Sequence, residues 1–148
     1  MKKIRLFVCL LLLVSMIGCS GVKTYKTIGF KVDNGNQVSV KLDTTDGYDM
    51  TSEIPFKVSL NDQVLSQGTF IQAEFYEQYA EAVEEEEAAV KLESGEKDGN
   101  SYIFWEYNAK EYNYVIMIGD SDTAVLLANN VSRESAQECF NRLTFYVE

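Results

Sequence analysis

Residues 102–128 read YIFWEY-NAKE-YNYVIMI-GDSD-TAVLLA. Three apolar runs alternate with two short polar turns, a pattern typical of an antiparallel meander of strands. In the first run, Tyr102 and Phe104 point to one side of the strand, while Ile103 and Trp105 point to the other. A strand that is apolar on both sides needs cover on both faces of its sheet. The stretch therefore predicts a layered α+β domain built on a largely antiparallel β-sheet.

A helix over residues 73–88 is predicted to cover part of this sheet. Apolar residues recur in it at helical spacing and form one stripe. The stripe consists of Phe75, Tyr76, Tyr79, Ala80 and Val83. Four glutamates at residues 84–87 stand where the helix should end, and anions disfavour a helix C-terminus by ~0.3–1 kcal/mol each. We therefore expect the helix to fray within this acidic run and a strand to begin at Val90 and Leu92.

Two hairpins and a second helix complete the predicted domain. The first hairpin turns at Asn34-Gly35, because Asn and Gly accept the positive φ of a tight turn. The second turns at Asn61-Asp62, and Ser132 is the predicted N-cap of a helix that ends at Leu143. The predicted strands cover residues 25–32, 37–42, 56–60, 64–71 and 144–147, with a polar loop at residues 43–53.

Residues 1–19 have the pattern of a secretion signal. A cationic start is followed by an apolar run of about a dozen residues, which is shorter than the ~20 residues of a membrane span. The run ends at Gly18-Cys19. This ending resembles a bacterial lipobox, and the resemblance implies that Cys19 is lipidated (palmitate) and becomes the N-terminus. The alternative is an ordinary secretory signal with an accidental cysteine.

The lipobox resemblance sets the expected location and domain limits. It divides the chain into a lipoprotein signal peptide (residues 1–18), a lipid-anchored tether (19–24) and a single α+β domain (25–148). It places the domain outside the cytoplasm, on the cell membrane or the outer membrane of the cell envelope. Ser20 is not the aspartate that retains lipoproteins at an inner membrane, so outer-membrane sorting stays open.

The charge of the chain argues against one class of partner. All 23 acidic residues but only 10 of the 13 basic ones lie after residue 18, so removing the signal changes the net charge from −10 to −13. Such an acidic surface is repelled by phosphate backbones. We therefore expect no nucleic-acid partner. The membrane, reached through Cys19, and an envelope protein are the expected partners.

The order of the predicted elements is similar to that of the PsbP/Mog1-like fold. The matching segments are residues 54–58 (IPFKV), the helix after Phe70-Ile71, and the closing helix that runs into Leu143-Thr144-Phe145. The resemblance covers roughly residues 37–147 and rests on element order and apolar spacing. It implies a sandwich-like α+β domain in a family whose members are mostly non-catalytic binding or assembly proteins. It carries over no functional residue.

The residue types argue against most catalytic mechanisms. The chain contains no histidine, which removes the serine–histidine and cysteine–histidine nucleophiles and most zinc and copper sites. With Cys9 in the signal and Cys19 lipidated, Cys139 is the one remaining thiol, and its apolar helical neighbours predict a buried structural role. We expect no cofactor, and an enzyme is the third-ranked interpretation.

Two sets of residues are candidates for binding. Asp43, Asp46 and Asp49 place three carboxylates on a glycine-containing loop that a hard cation such as Ca²⁺ could use, although a solvated turn explains the same pattern. Tyr48, Tyr107 and Tyr112 flank turns and, with the single tryptophan, could line a groove for a peptide or glycan. The alternative for most tyrosines is a place in the core.

These observations rank three functions. The first is a lipid-anchored envelope protein that binds another protein or an envelope component without catalysis. The second is a surface receptor for a small ligand or cation, and the third is an enzyme of unknown type.

Overall fold

The computed structural model describes residues 21–148, which form two antiparallel sheets and two α-helices. The elements are β1 (Tyr25–Lys31), β2 (Gln37–Asp43), β3 (Tyr48–Met50), β4 (Phe56–Leu60), β5 (Gln63–Gln72), α1 (Glu74–Glu85), β6 (Ala89–Lys97), β7 (Asn100–Tyr107), β8 (Glu111–Met117), β9 (Thr123–Asn129), α2 (Arg133–Arg142) and β10 (Leu143–Val147). The small sheet has the order β1-β2-β10 and the large one β3-β4-β5-β9-β8-β7-β6. The predicted α+β class with a largely antiparallel sheet is confirmed.

The central meander β7-β8-β9 carries the two-sided apolar pattern predicted for it. Phe104 and Tyr114 face the small sheet, and their rings stack with centroids 4.2 Å apart. Ile103 and Val115 alternate with them and face the other side of the large sheet. Each face of the meander therefore has its own buried cluster.

The larger cluster fills the space between the two sheets and α2. Val38, Val40 and Leu42 of β2 are fully buried there. The helix α2 contributes Cys139 and Phe140 to the same cluster. The Ser132 side chain accepts a hydrogen bond from the Ser135 backbone N–H, as its predicted role as N-cap requires. The hairpin β1-β2 and α2 thus cover one face of the large sheet, and α1 covers the other.

Two sequence expectations for α1 have different outcomes. The helix ends at Glu85, and Glu86 is extended, so it stops inside the acidic run as expected. Phe75, however, does not pack with the predicted apolar stripe: its side chain is 39% exposed. It lies in the first turn of α1, where the helix has only just left the end of β5, and so it stands beyond the part of the sheet that Tyr79 and Val83 cover.

The chain also contains a strand that the sequence assigned to a loop. Residues 43–53, expected to form a polar loop, hold a short 3₁₀ turn at Thr45–Gly47 and then β3, which pairs with β4. Near the other end of the chain, β10 pairs with β2, with Leu143 opposite Leu42. Among residues 21–148, neither α-helix is long and apolar enough to cross a membrane. Cys19 and the predicted signal peptide lie outside the described residues.

Candidate binding grooves

The loop that carries the predicted cation site contacts a positively charged side chain of the same chain. The guanidinium of Arg142, at the end of α2, donates from Nη2 to Asp46 Oδ2 (3.0 Å) and from Nη1 to the Thr45 carbonyl (2.8 Å). Its Nη1 lies 3.6 Å from Asp43 Oδ1. The pKa of Asp43 is lowered, first because Thr45 donates hydrogen bonds to the carboxylate and further because Arg142 is close. Arg142 therefore supplies the positive charge that Asp43 and Asp46 face.

The third carboxylate of the predicted site faces a different partner. Asp49 Oδ1 accepts a hydrogen bond from Lys26 Nζ at 2.7 Å, and this contact lowers the pKa of Asp49. Lys26 also donates to the carbonyl of Met50, so it ties β1 to β3. Nowhere in residues 21–148 do three or more acidic or cysteine side chains gather closely enough to hold a metal ion. The structure does not bring Asp43, Asp46 and Asp49 together as a ligand set.

The three candidate tyrosines are also separated from one another. Tyr48 packs against the large core cluster beneath Arg142, whose Cζ lies 4.0 Å from the ring centroid. Tyr112 pairs with Glu106 and packs against the same cluster, while Tyr107 pairs with Glu111 and packs on the opposite face of the sheet. Tyr107 and Tyr112 lie on either side of the tight turn between β7 and β8. Their positions in the sequence therefore predict that they are close together, but do not show on which face of the sheet each one lies.

Tyr107 lies in an aromatic groove between the end of α1 and the large sheet. The groove has a volume of about 250 Å³. Its lining includes Tyr79, Ala82, Glu86, Trp105, Tyr107 and Asn113. The rings of Tyr79 and Trp105 pack with centroids 5.7 Å apart. The hydroxyl of Tyr107 donates to Glu86 Oε1 (3.1 Å), and this hydrogen bond to a carboxylate raises the pKa of the tyrosine.

A second groove lies between the tip of the first hairpin and the beginning of α1. It has a volume of about 380 Å³ and is called here the strand-edge groove. Its lining includes Lys31, Val32, Ile54, Phe70, Gln72 and Phe75. Ile54 is 49% exposed, and its peptide bond to Pro55 is cis. The sequence analysis missed this groove because it placed Phe75 in the apolar stripe of the first helix.

Unpaired strand edges form the walls of this second groove. The last pair between β4 and β5 is Phe56 with Gly68, but β5 continues to Gln72. Among residues 21–148, residues 69–72 therefore have β9 on one side and no strand on the other. β1 is likewise an edge strand of the small sheet. The Asn34 side chain holds the hairpin tip against the large sheet by donating to Thr123 Oγ1 at 2.9 Å.

Cys139 has the buried structural position that its neighbours predicted. Its side chain is fully buried on the inner face of α2 and forms no disulfide among the described residues. Burial raises the pKa of the thiol, which keeps it protonated at neutral pH. A protonated and enclosed thiol is a poor nucleophile.

Comparison with known proteins does not assign the chain to a family. No protein-family model matches it, and neither does any curated protein or solved structure. The geometry of the two grooves therefore provides the support for a function.

Proposed function

We propose that the chain is a lipid-anchored envelope protein whose domain binds, without catalysis, an extended segment of a partner protein. The observation that carries this proposal is the strand-edge groove, in which free strand edges lie beside exposed apolar side chains. The chain has no histidine, and its one thiol within the described residues is buried and protonated. Both facts favour binding over catalysis.

The free edges supply the hydrogen-bonding part of the proposed interaction. An exposed strand edge presents backbone N–H and C=O groups that an added strand can pair with. Residues 69–72 of β5 offer such an edge, since β4 ends before them. An extended peptide laid along this edge would continue the large sheet past β4.

Apolar side chains supply the specificity of the same groove. Ile54 and Phe75 are both large, apolar and more than a third exposed, and Phe70 forms part of the wall between them. Alternate side chains of an added strand point to one face, so apolar residues at every second position would enter the groove. The volume of about 380 Å³ lies within the ~300–1,000 Å³ that is usual for ligand sites.

The position of the groove relative to the proposed anchor also supports a role in binding. The chain enters the domain at Thr24, whose backbone N–H donates to Thr45 and whose carbonyl accepts from Thr44. The groove lies beyond the other end of β1, at Lys31 and Val32. A seven-residue strand spans roughly 20 Å at ~3.3 Å per residue. A lipid on Cys19 would therefore leave the groove on the side of the domain away from the membrane.

We also propose a more specific fold for the domain, a PsbP/Mog1-like sandwich. The order of hairpin, strands, helix, meander, helix and final strand supports it. Superposition of β2 to β10 on the experimental structure of a member of that family tests this assignment, and a different strand order in the large sheet would contradict it.

Site-specific cross-linking tests the binding function. A photoreactive benzoylphenylalanine replaces Phe75 in one variant and Val131 in another. Each variant is cross-linked in cells that make the protein, and mass spectrometry then identifies the cross-linked partner. Val131 is a matched control because it is 47% exposed and lies at the far end of β9 from the groove. We expect a defined adduct from position 75, attached to an extended segment of the partner, and none from position 131.

A second variant connects the adduct to the groove. Ile54→Asp places a charge at the groove wall, and because Ile54 is half exposed the change should leave the unfolding midpoint within the range of ordinary surface substitutions. We expect it to abolish the adduct formed at position 75. Equal adducts from positions 75 and 131, or an adduct that persists in the Ile54→Asp chain, would contradict the proposed function.

A further inference from the structure

Three asparagine side chains are buried in the described part of the chain, and two of them have clear internal partners. Asn100 donates to the Phe145 carbonyl (2.8 Å) and accepts from the Gly119 backbone N–H (2.9 Å). Asn129 donates to the hydroxyls of Ser66 and Ser135. These amides hold loops and helix ends in place, as buried polar groups usually do.

The third buried asparagine has no hydrogen-bond partner in the part of the chain that the structure describes. Asn113 is 8% exposed, and its side chain makes no hydrogen bond within the described residues. It is the direct cross-strand neighbour of Trp105, which is 6% exposed and whose indole N–H likewise donates to no acceptor among residues 21–148. No fully enclosed side-chain nitrogen or oxygen of residues 21–148 is left without a partner. The Asn113 amide and the indole N–H therefore open onto the aromatic groove that both residues line.

Charge around the aromatic groove excludes one class of ligand. Glu86 lines the groove and caps the C-terminus of α1, directly after its last residue Glu85, where the helix dipole is negative. Glu85 and Glu87 are its exposed neighbours. An anion would be repelled by this end of the helix.

Hydrogen bonding separates the two remaining classes. A quaternary ammonium would be attracted by Glu86 and the aromatic rings, but it has no acceptor for the indole N–H and no donor for the amide oxygen. A hydroxyl group is both donor and acceptor, so neighbouring hydroxyls on one ring can satisfy Trp105, Asn113 and Glu86 together. The apolar face of such a ring can pack against Tyr79 and Ala82.

We propose that the aromatic groove binds a neutral polyhydroxylated ring, that is, one sugar unit. The volume of about 250 Å³ lies just under the usual range for drug-sized ligands, which suits a single ring. The groove shares no lining residue with the strand-edge groove. This inference therefore stands or falls separately from the proposed protein-binding function.

The single tryptophan of the chain reports directly on this groove. Because Trp105 is the one tryptophan in the sequence, intrinsic tryptophan fluorescence and the indole N–H signal in NMR come from the site itself. The full chain is titrated in a polyoxyethylene detergent, which carries no sugar headgroup, with glucose and N-acetylglucosamine. Glycerol is the control for non-specific effects of hydroxyl compounds. We expect a saturable change with a dissociation constant on the order of millimolar, as befits a ligand of about a dozen non-hydrogen atoms.

Further titrations distinguish the source of the sugar and the competing ligand class. Chitotriose presents the N-acetylglucosamine unit as part of a glycan. If chitotriose binds at least tenfold more tightly than N-acetylglucosamine, the ligand is a glycan. If the two bind equally, the ligand is a free sugar. Tetramethylammonium chloride tests the organic-cation alternative. A saturable response to tetramethylammonium without one to either sugar would overturn the proposal.

Four variants make the test specific. Asn113→Leu removes the amide, and we expect at least tenfold weaker sugar binding with no loss of stability. Asn100→Leu removes a partnered amide, and we expect it to lower the unfolding midpoint instead. Ala82→Phe fills the groove from an exposed position of α1 and should abolish binding, whereas Gln78→Phe, exposed on the same helix, should not.

Two results would contradict the inference, provided that the chain tested is folded. One is the absence of any saturable Trp105 response to the sugars. The other concerns the Asn113→Leu chain. If it binds sugar as tightly as the original chain, the amide does not contact the ligand. If it unfolds as readily as Asn100→Leu, the amide stabilises the fold instead.

Discussion

The guanidinium carbon of Arg142 lies 4.0 Å from the centroid of the Tyr48 ring, and both side chains sit between α2 and the loop that follows β2. The same guanidinium donates to Glu138 on its own helix and to Asp46 across 96 residues of sequence. A planar group that stacks on a ring while its N–H groups bind carboxylates uses the two properties that distinguish arginine from lysine. These contacts of Arg142 hold the loop that follows β2 against α2.

Replacing Arg142 should therefore weaken the whole domain. Arg142→Gln leaves the Thr45 carbonyl without its donor and removes the nearer of the two cations that face the Asp43 carboxylate, the other being Lys23. We expect a loss of about 1–3 kcal/mol in the free energy of unfolding, measured by urea denaturation. Arg133→Gln, an exposed arginine on the same helix, is the control and should change this value by less than ~0.5 kcal/mol. Equal losses in the two variants would show that the contact does not stabilise the fold.

The same contact predicts how the domain responds to metal ions. Ca²⁺ needs about six to eight oxygen ligands, whereas Asp43 and Asp46 face Arg142 and Asp49 faces Lys26. We expect millimolar Ca²⁺, Mg²⁺ or Zn²⁺, or a chelator, to leave the thermal melting temperature unchanged, since an ion that does not bind the native state cannot stabilise it. A rise of several degrees with Ca²⁺ that Asp46→Asn abolishes would restore the loop as a cation site.

The meander could be predicted from the sequence because its signal is local. Each run of β7, β8 and β9 carries its own alternation of apolar faces, and the short polar turns fix their antiparallel order. Tyr102 and Phe104 accordingly face one cluster, and Ile103 and Trp105 face the other. The N-cap at Ser132 is predictable for the same reason, since its hydrogen bond spans three residues.

The partner of the carboxylate loop and most of the lining of the two grooves could not be predicted, because they depend on contacts distant in sequence. The partner of Asp46 is Arg142, and nothing near residue 46 indicates it. The exposed position of Phe75 follows from its place in the first turn of α1, just after β5 ends, and helical spacing does not indicate it. Likewise, the lack of a partner for the Asn113 amide within residues 21–148 follows from its neighbours on α1, β6, β7 and β9, which the local sequence pattern does not indicate.

The predicted lipid anchor can be tested with a matched pair of cysteine variants. Cys19→Ala removes the proposed site of lipidation, and we expect the chain to leave the detergent-soluble membrane fraction or to stay unprocessed. Cys9→Ala changes a cysteine in the apolar run of the predicted signal and should leave processing and membrane retention unchanged. Cell fractionation and intact-protein mass spectrometry measure both. Retention and normal processing of the Cys19→Ala chain would contradict the lipobox assignment.

Tyr102 should make the stability of the domain sensitive to alkaline pH. Its hydroxyl donates to Glu93 Oε1 (2.6 Å), and this hydrogen bond, with burial, raises the pKa of Tyr102 to about 12 from 10.0. The folded state therefore keeps a proton that the unfolded chain releases between pH 10 and 12, so the contribution of Tyr102 to stability is complete below pH 10 and is lost as pH rises through this window.

The comparison of wild type with Tyr102→Phe isolates this contribution. At pH 8 we expect the variant to be less stable by about 1 kcal/mol, the usual value of a lost hydrogen bond. Urea denaturation at increasing pH should show the two chains converging between pH 10 and 12. Glu93→Gln retains Tyr102 but removes the charge that raises its pKa, so its stability should fall less steeply over the same range. A constant difference between wild type and Tyr102→Phe would contradict the role of the tyrosine proton.

Gly68 is required because the ring of Phe56 lies on it. The two residues are direct partners of β4 and β5, and a Cβ added at Gly68 would stand 2.1 Å from Phe56 Cζ. Phe56 is fully buried and packs against the rings of Phe30, Phe70 and Phe145, so it cannot move aside freely. Gly68→Ala should therefore lower the free energy of unfolding by about 2–3 kcal/mol through overpacking.

A matched glycine and a double variant make this prediction specific. At Gly29 of β1 an added Cβ would meet only the end of the flexible Gln37 side chain, at 2.8 Å, so Gly29→Ala should change stability by no more than ~0.5 kcal/mol. Phe56→Leu removes the ring, and combining it with Gly68→Ala should cost less than the sum of the two single changes, since contacting residues are not additive. Urea denaturation of the four chains gives the coupling free energy between positions 56 and 68. Additive losses would mean that the methyl group and the ring do not collide, and that the narrow approach of β4 to β5 has another cause.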